Sequence, residues 1–124
     1  MPELNIMDFK KLIVYKKAFK LAMEVFKISK CFPKEEKYGL TQQIRRSAVS
    51  VPSNIAEGAG RISVKEFKYF LRVSYGSICE LDTQLMIARK LDFINKEDYY
   101  LLTEQLNEIQ KMTYRLFNSK SINM

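Results

Sequence analysis

The chain has 124 residues, 47% hydrophobic and 28% charged, proportions ordinary for one globular domain that buries a core. It sets 21 Lys and Arg against 14 Asp and Glu, a formal net charge of +7, and contains no histidine. The missing imidazole removes the commonest general base and metal ligand and rules out Glu-x-x-His di-iron sites, so an enzyme, a metal centre and a cofactor are not expected; the positive balance, with a pI near 9.4, makes nucleic acid a partner to weigh.

The N-terminal stretch has no basic leader followed by an apolar segment, and no run approaches the roughly 20 apolar residues of a membrane span, so a cytoplasmic protein without a membrane partner is expected. A first helix is predicted to start near Asp8 as N-cap, with Met7 and Leu12 as a hydrophobic staple, and to run to about Cys31. Leu12, Tyr15, Phe19, Ala22 and Phe26 make one stripe at helical spacing; Ala18, Leu21, Val25 and Ile28 make another. One stripe suffices for a bundle core, and the other either meets a neighbouring subunit or widens the core-facing surface. Lys16, Lys20, Lys27 and Lys30 form a basic ridge on the remaining face, which solvation alone would also explain.

Phe32 to Lys37 reads as a connection, because Pro33 disfavours helix at Phe32 and the charges after it need no burial. From Tyr38 to Arg61, Leu40, Ile44, Ala48, Val51 and Ile55 recur at helical spacing. Gln43, Ser47, Ser50, Asn54, Glu57 and Arg61 form a wholly polar line beside them. Pro52 falls inside this pattern and predicts one kinked second helix, ended by Gly58 and Gly60.

Ser63 as N-cap, Glu66 closing a capping box, and Ile62 with Phe67 as staple mark the start of a third helix. Phe67, Leu71, Ser74, Ile78, Leu81, Leu85 and Ala88 carry it to Leu91, with Ser77, Glu80 and Gln84 as a polar line and Ser74, Gly76 and Ser77 small enough for another helix to approach. Asn95, with acids in the first turn and Ile94 packing on Tyr99, opens a fourth helix. This one carries Leu102, Leu106, Ile109, Thr113 and Leu116 and frays near Asn118 into a mobile tail of about 119–124. The fold class expected is all-α: a single antiparallel up-down-up-down four-helix bundle spanning 1–124, with a Pro-kinked second helix.

The chemistry available is sparse. Gly58-Ala59-Gly60 is followed by no Lys-Ser/Thr and so cradles no phosphate. Cys31 and Cys79 match no metal spacing and are expected as buried small hydrophobes rather than a disulfide. Positive charge concentrates in the first three segments: residues 1–37 hold nine Lys against five acids, 38–61 three Arg against one, 62–91 five basic against three, whereas 92–124 hold four against five. The polar line of the second helix would be costly to bury unpaired, so Arg46 or Asn54 is expected to bond Glu80 or Ser77, and Glu57 to pair with Arg61 or the next helix's N-terminus. Arg45 and Arg46 point about 100° apart, and Arg46 is expected inside, Arg45 outside. The functional reading assigns Arg45, Arg61, Lys65, Lys68 and Arg72, with Lys16, Lys20 and Lys27, to phosphate contacts on RNA or DNA.

Phe32-Pro33, Gln43 with Arg45-Arg46, Ser50-Val51-Pro52, Asn54 to Gly58, Arg61, Glu66-Phe67, Gly76-Ser77 and Glu80-Leu81, in that order and spacing, resemble the motif of the bacterial 23S ribosomal RNA intervening-sequence proteins. The resemblance implies a four-helix bundle with no defined activity, in genes associated with sequences inserted into ribosomal RNA genes. Relatives resemble accessory proteins of diversity-generating retroelements, ring-shaped oligomers that bind nucleic acid and a reverse transcriptase. A homo-oligomer, pentameric by that resemblance, is therefore expected to bind RNA or DNA without catalysis. The alternative is a protein–protein scaffold or adaptor whose second apolar stripe docks a partner helix.

Overall fold

A computed structural model of the chain describes residues 4–5, 8–120 and 122–123. Four helices account for most of it: α1 (Ile13–Ile28), α2 (Leu40–Gly60), α3 (Val64–Lys90) and α4 (Lys96–Phe117). Leu4–Asn5 and Ile122–Asn123 pair in parallel over two residues, too short a ladder to form a layer, and the architecture is all-α. The expected mobile tail lies partly outside the described residues, and so does Met7 of the first staple.

Helix starts follow the sequence where a side chain caps them. Ser63 Oγ accepts from the Glu66 amide at 3.3 Å, and Asn95 Oδ1 from the Asp98 amide at 2.8 Å. Where none does, the start moves: Asp8 makes no capping bond, a 3-10 turn occupies Phe9–Lys11, and α1 begins only at Ile13. α2 borrows its cap, since Glu36 Oε1 from the preceding turn accepts from the Leu40 amide at 3.0 Å.

α2, α3 and α4 end at or within a residue of the expected positions, at Gly60, Lys90 and Phe117, but the left-handed residues that follow α2 and α3 are not glycines. α3 closes with the Phe93 amide on the Ala88 carbonyl (2.9 Å) and the Asp92 amide on that of Arg89 (3.1 Å), with Asp92 at φ 61° in the left-handed position usually given to Gly. At the end of α2 the left-handed residue is Ile62, φ 54°, although glycines stand two and four residues earlier. A β-branched residue there costs on the order of 1–2 kcal/mol. Ile62 is 58% exposed there, whereas Phe67, its expected staple partner, is fully buried. Gly58 does not end α2; it is buried within the helix, packed on α3.

The core runs along the predicted seams. Ile44, Ala48, Val51 and Ile55 of α2 meet Phe67, Leu71, Ile78, Leu81 and Leu85 of α3, with Leu102, Leu106 and Ile109 of α4 completing it. On α1 the Ala18, Leu21 and Val25 stripe is buried and Ala22 joins it, whereas Phe19 (52%) and Met23 (60%) face outward. α2 packs chiefly on α3, α3 also on α4, and α1 lies against both α2 and α4. Pro52 sits inside α2 without interrupting it.

Candidate nucleic-acid interface

The polar line of α2 resolves into a relay of short side chains. Asn54 Nδ2 donates to both the carbonyl and the Oγ of Ser50 at 2.8 Å, Ser50 Oγ meets Ser77 Oγ at 2.8 Å, and Ser77 Oγ donates to the Val73 carbonyl at 3.3 Å. Asn54 thus reaches Ser77 through Ser50 rather than directly. Beside the relay, the fully buried Ser74 donates to the Val51 carbonyl at 2.9 Å, next to Pro52. Ser74→Ala removes that bond without opening space for water and is expected to cost about 0.5–1.5 kcal/mol, read from the urea midpoint.

The two adjacent arginines are placed opposite to expectation. Arg45 is half-buried toward α1: Nε donates to Ser29 Oγ at 2.8 Å, a terminal nitrogen donates to the Phe26 carbonyl at 3.3 Å, and the guanidinium lies 5.0 Å from the Phe26 ring centre. Both acceptors belong to the end of α1: the Phe26 carbonyl lies in its last turn, where helix carbonyls lack intrahelical donors, and Ser29 caps it. Arg46, one step round the helix, emerges into solvent. It makes no bond to Glu80, which is itself exposed and unpartnered among the described residues. Glu57 does pair with Arg61, at 2.8 Å one turn on. Gln84 Oε1 is buried without a hydrogen-bond partner.

The remaining predicted cations divide into two fields. On α3, Lys65, Lys68 and Arg72 share one outer face, and Arg61 stands near its start with its guanidinium 5.2 Å from the Phe70 ring centre. On α1, Lys16, Lys20 and Lys27 form the expected exposed ridge. None of these six residues of α1 and α3 makes an ion pair within the described residues; the acids that do pair are held by Lys11, Lys17, Arg61 and Arg89. Their charge is therefore uncompensated and available to an anionic partner.

Sequence reading missed a third region. Tyr75, Tyr114 and Phe117 gather between α3 and α4 with ring centres 5.2–6.2 Å apart, and Arg72 lies 5.2 Å over Phe117. The signal was present, since Lys111 and Arg115 interleave with Tyr114 and Phe117, but the near-neutral total of the last segment averaged it away.

Other features offer no chemistry. Cys31 and Cys79 are free and exposed rather than buried; Cys31 Sγ donates to the Ile28 carbonyl at 2.9 Å in the turn after α1. Gly76 faces open space, so no helix of this chain exploits it. Among the described residues no three His, Cys, Asp or Glu side chains group as metal ligands, and no helix is long and apolar enough to cross a membrane.

The family model described as 23S rRNA-intervening sequence protein matches residues 10–115. A crystal structure of a protein of unknown function, from the S23 ribosomal protein family of Bacteroides thetaiotaomicron, superposes with a TM-score of 0.80. It is 21% identical, covering 86% of this chain and 100% of that one, a likeness that speaks for the fold alone. No curated protein matches.

Proposed function

The chain belongs to the 23S rRNA-intervening sequence protein family, and from that premise we propose that it acts without catalysis, as a cytoplasmic homo-oligomer that binds RNA or DNA through its basic surface. The observation that carries this reading is the unpaired charge of Lys65, Lys68 and Arg72 on one face of α3, with the α1 ridge as a second field. Contacts of this kind are made to phosphates, independent of sequence and weakened by salt. Arg45, committed to Ser29 and Phe26, contributes less than its charge suggests.

In architecture we read the helices as running up-down-up-down with a bend at Pro52. Contacts that support it climb one helix while descending the next: Ser50 with Ser77 but Arg61 with Phe70, and Arg72 with Phe117 but Tyr75 with Gln110. The oligomer uses the outward stripe of α1. Tyr15, Phe19, Met23 and Phe26 face Val49 and Pro52 of α2 across an apolar groove of about 320 Å³, the kind of surface a second copy covers. Ring size, including the pentamer implied by resemblance, is read by light scattering.

The test is binding of a structured RNA across a salt series. Log affinity should fall linearly with log salt, and the triple variant Lys65→Gln, Lys68→Gln, Arg72→Gln should flatten the slope by about 2–3, close to one per charge removed. Negligible affinity that ignores salt favours the second reading, a protein scaffold or adaptor docking a partner helix on the α1 stripe.

A further inference from the structure

We infer that the groove between α3 and α4 is a stacking site for unpaired nucleobases, which makes single-stranded nucleic acid the preferred class of ligand. The inference rests on the nucleic-acid-binding reading and adds to it how the strand is recognised.

The groove has about 390 Å³ and is lined by Tyr75, Gln110, Lys111, Tyr114 and Arg115. The rings of Tyr75 and Tyr114 in its wall, and of Phe117 beside them, are not stacked on one another. Tyr75 and Tyr114 are inclined at 50°, Tyr114 and Phe117 at 69°, and Tyr75 and Phe117 at 87°. Arg72 already lies over Phe117 and the edge-to-face pairs cover part of the other rings, so the ring most open to a planar guest is Tyr114, 53% exposed and without a parallel partner in the cluster. A ring left so open gains little from burial in this chain, but it would gain from a base laid over it.

Polar groups around the rings suit such a guest. Gln110 Nε2 donates to the Tyr75 hydroxyl at 3.3 Å, fixing that ring and leaving the amide oxygen as an acceptor for an exocyclic base amine. Lys111 and Arg115, one turn apart, flank Tyr114 and are exposed; neither makes an ion pair among the described residues, and the nearby Glu108 is taken by Lys17 of α1. On the opposite wall, Lys65, Lys68, Arg72 and Tyr75 follow one another at spacings of three, four and three residues along one face of α3. The phosphate-binding line thus leads directly into the aromatic cluster. Cations that track a backbone beside rings that accept bases are the arrangement by which single strands are held without sequence preference. A duplex, whose bases are already stacked and paired, can use the cations alone.

The experiment compares two probes on the full chain by fluorescence anisotropy: labelled oligouridylate of about 15 nucleotides and a duplex RNA of the same length. Tyr114→Leu should weaken oligouridylate binding about ten-fold, roughly the contribution of one stacked base. Its salt slope and its affinity for duplex should stay as in the unaltered protein, and Tyr114→Phe should keep full affinity for both. Residue 114 is half in solvent, so both variants should stay folded, with a single cooperative thermal transition; Tyr114→Leu loses no more than its ring contacts with Tyr75 and Phe117. Equal affinity of Tyr114→Leu and the unaltered protein for oligouridylate, or parallel losses on both probes, overturns the stacking site while the phosphate-contact reading stands. Failure of the unaltered protein to bind either probe at low salt overturns both.

Discussion

Replacing Phe67 by Ala is expected to lower the unfolding free energy by about 3–5 kcal/mol. Phe67 is among the largest side chains with no exposed surface, and it lies in the first turn of α3, where that helix must dock on α2. Truncation loses the transfer free energy of the ring and leaves a void that close neighbours fill only partly. A domain of this size holds on the order of 5–15 kcal/mol in total, so the variant should unfold at much lower urea with an unchanged slope. A loss below about 1 kcal/mol would mean that α2 and α3 collapse onto the vacancy, against the tight packing described here.

The second large effect is a contrast of sign between two glycines. A methyl group added at Gly58 would lie 2.7 Å from the Phe70 Cβ and 3.3 Å from the Phe67 Cα, and neither atom is the free end of a flexible chain. Gly58→Ala must therefore push α2 and α3 apart, at about 1–3 kcal/mol less the roughly 1 kcal/mol that Ala gains over Gly as a helix former. Gly76, in mid-α3, has nothing within 4 Å of the same added methyl, so Gly76→Ala keeps only the propensity gain and should stabilise by about 0.5–1 kcal/mol. Thermal melts of the two variants moving in the same direction would contradict the close approach at Gly58.

What could be read from the chain before its structure was known follows from how local each determinant is. The apolar seam from Ile44 to Ile55 and the caps Ser63 and Asn95 depend on spacing within a turn or two, and each lies where periodicity and capping chemistry put it. The choice between Arg45 and Arg46 depended instead on what stood opposite each: the Ser29 hydroxyl and the Phe26 carbonyl belong to another helix, which no pattern within α2 reveals. Gly near a helix end ordinarily terminates it, which is what the sequence implies for Gly58. Its actual use is a close approach to α3, and the left-handed turn fell to Ile62. The Tyr75, Tyr114 and Phe117 cluster joins residues about 40 positions apart, so the sequence shows locally only its α4 half, where Lys111 and Arg115 interleave with Tyr114 and Phe117.

The hydroxyl relay between α2 and α3 bears on a different question, that of alternative packings. Two mostly aliphatic helices could slide past each other by one turn, about 5.4 Å, and still bury much the same area. Ser50 matches Ser77, and Ser74 matches the Val51 carbonyl, at this setting; a slip would part both pairs and leave the buried Ser74 and Ser77 hydroxyls without these partners. These groups act as a vernier, adding little to net stability but making the wrong alignments expensive. A redesign with alanine or valine at positions 50, 74 and 77 should thus melt no lower than single-site losses predict, yet show broadened or duplicated amide resonances as neighbouring alignments become populated.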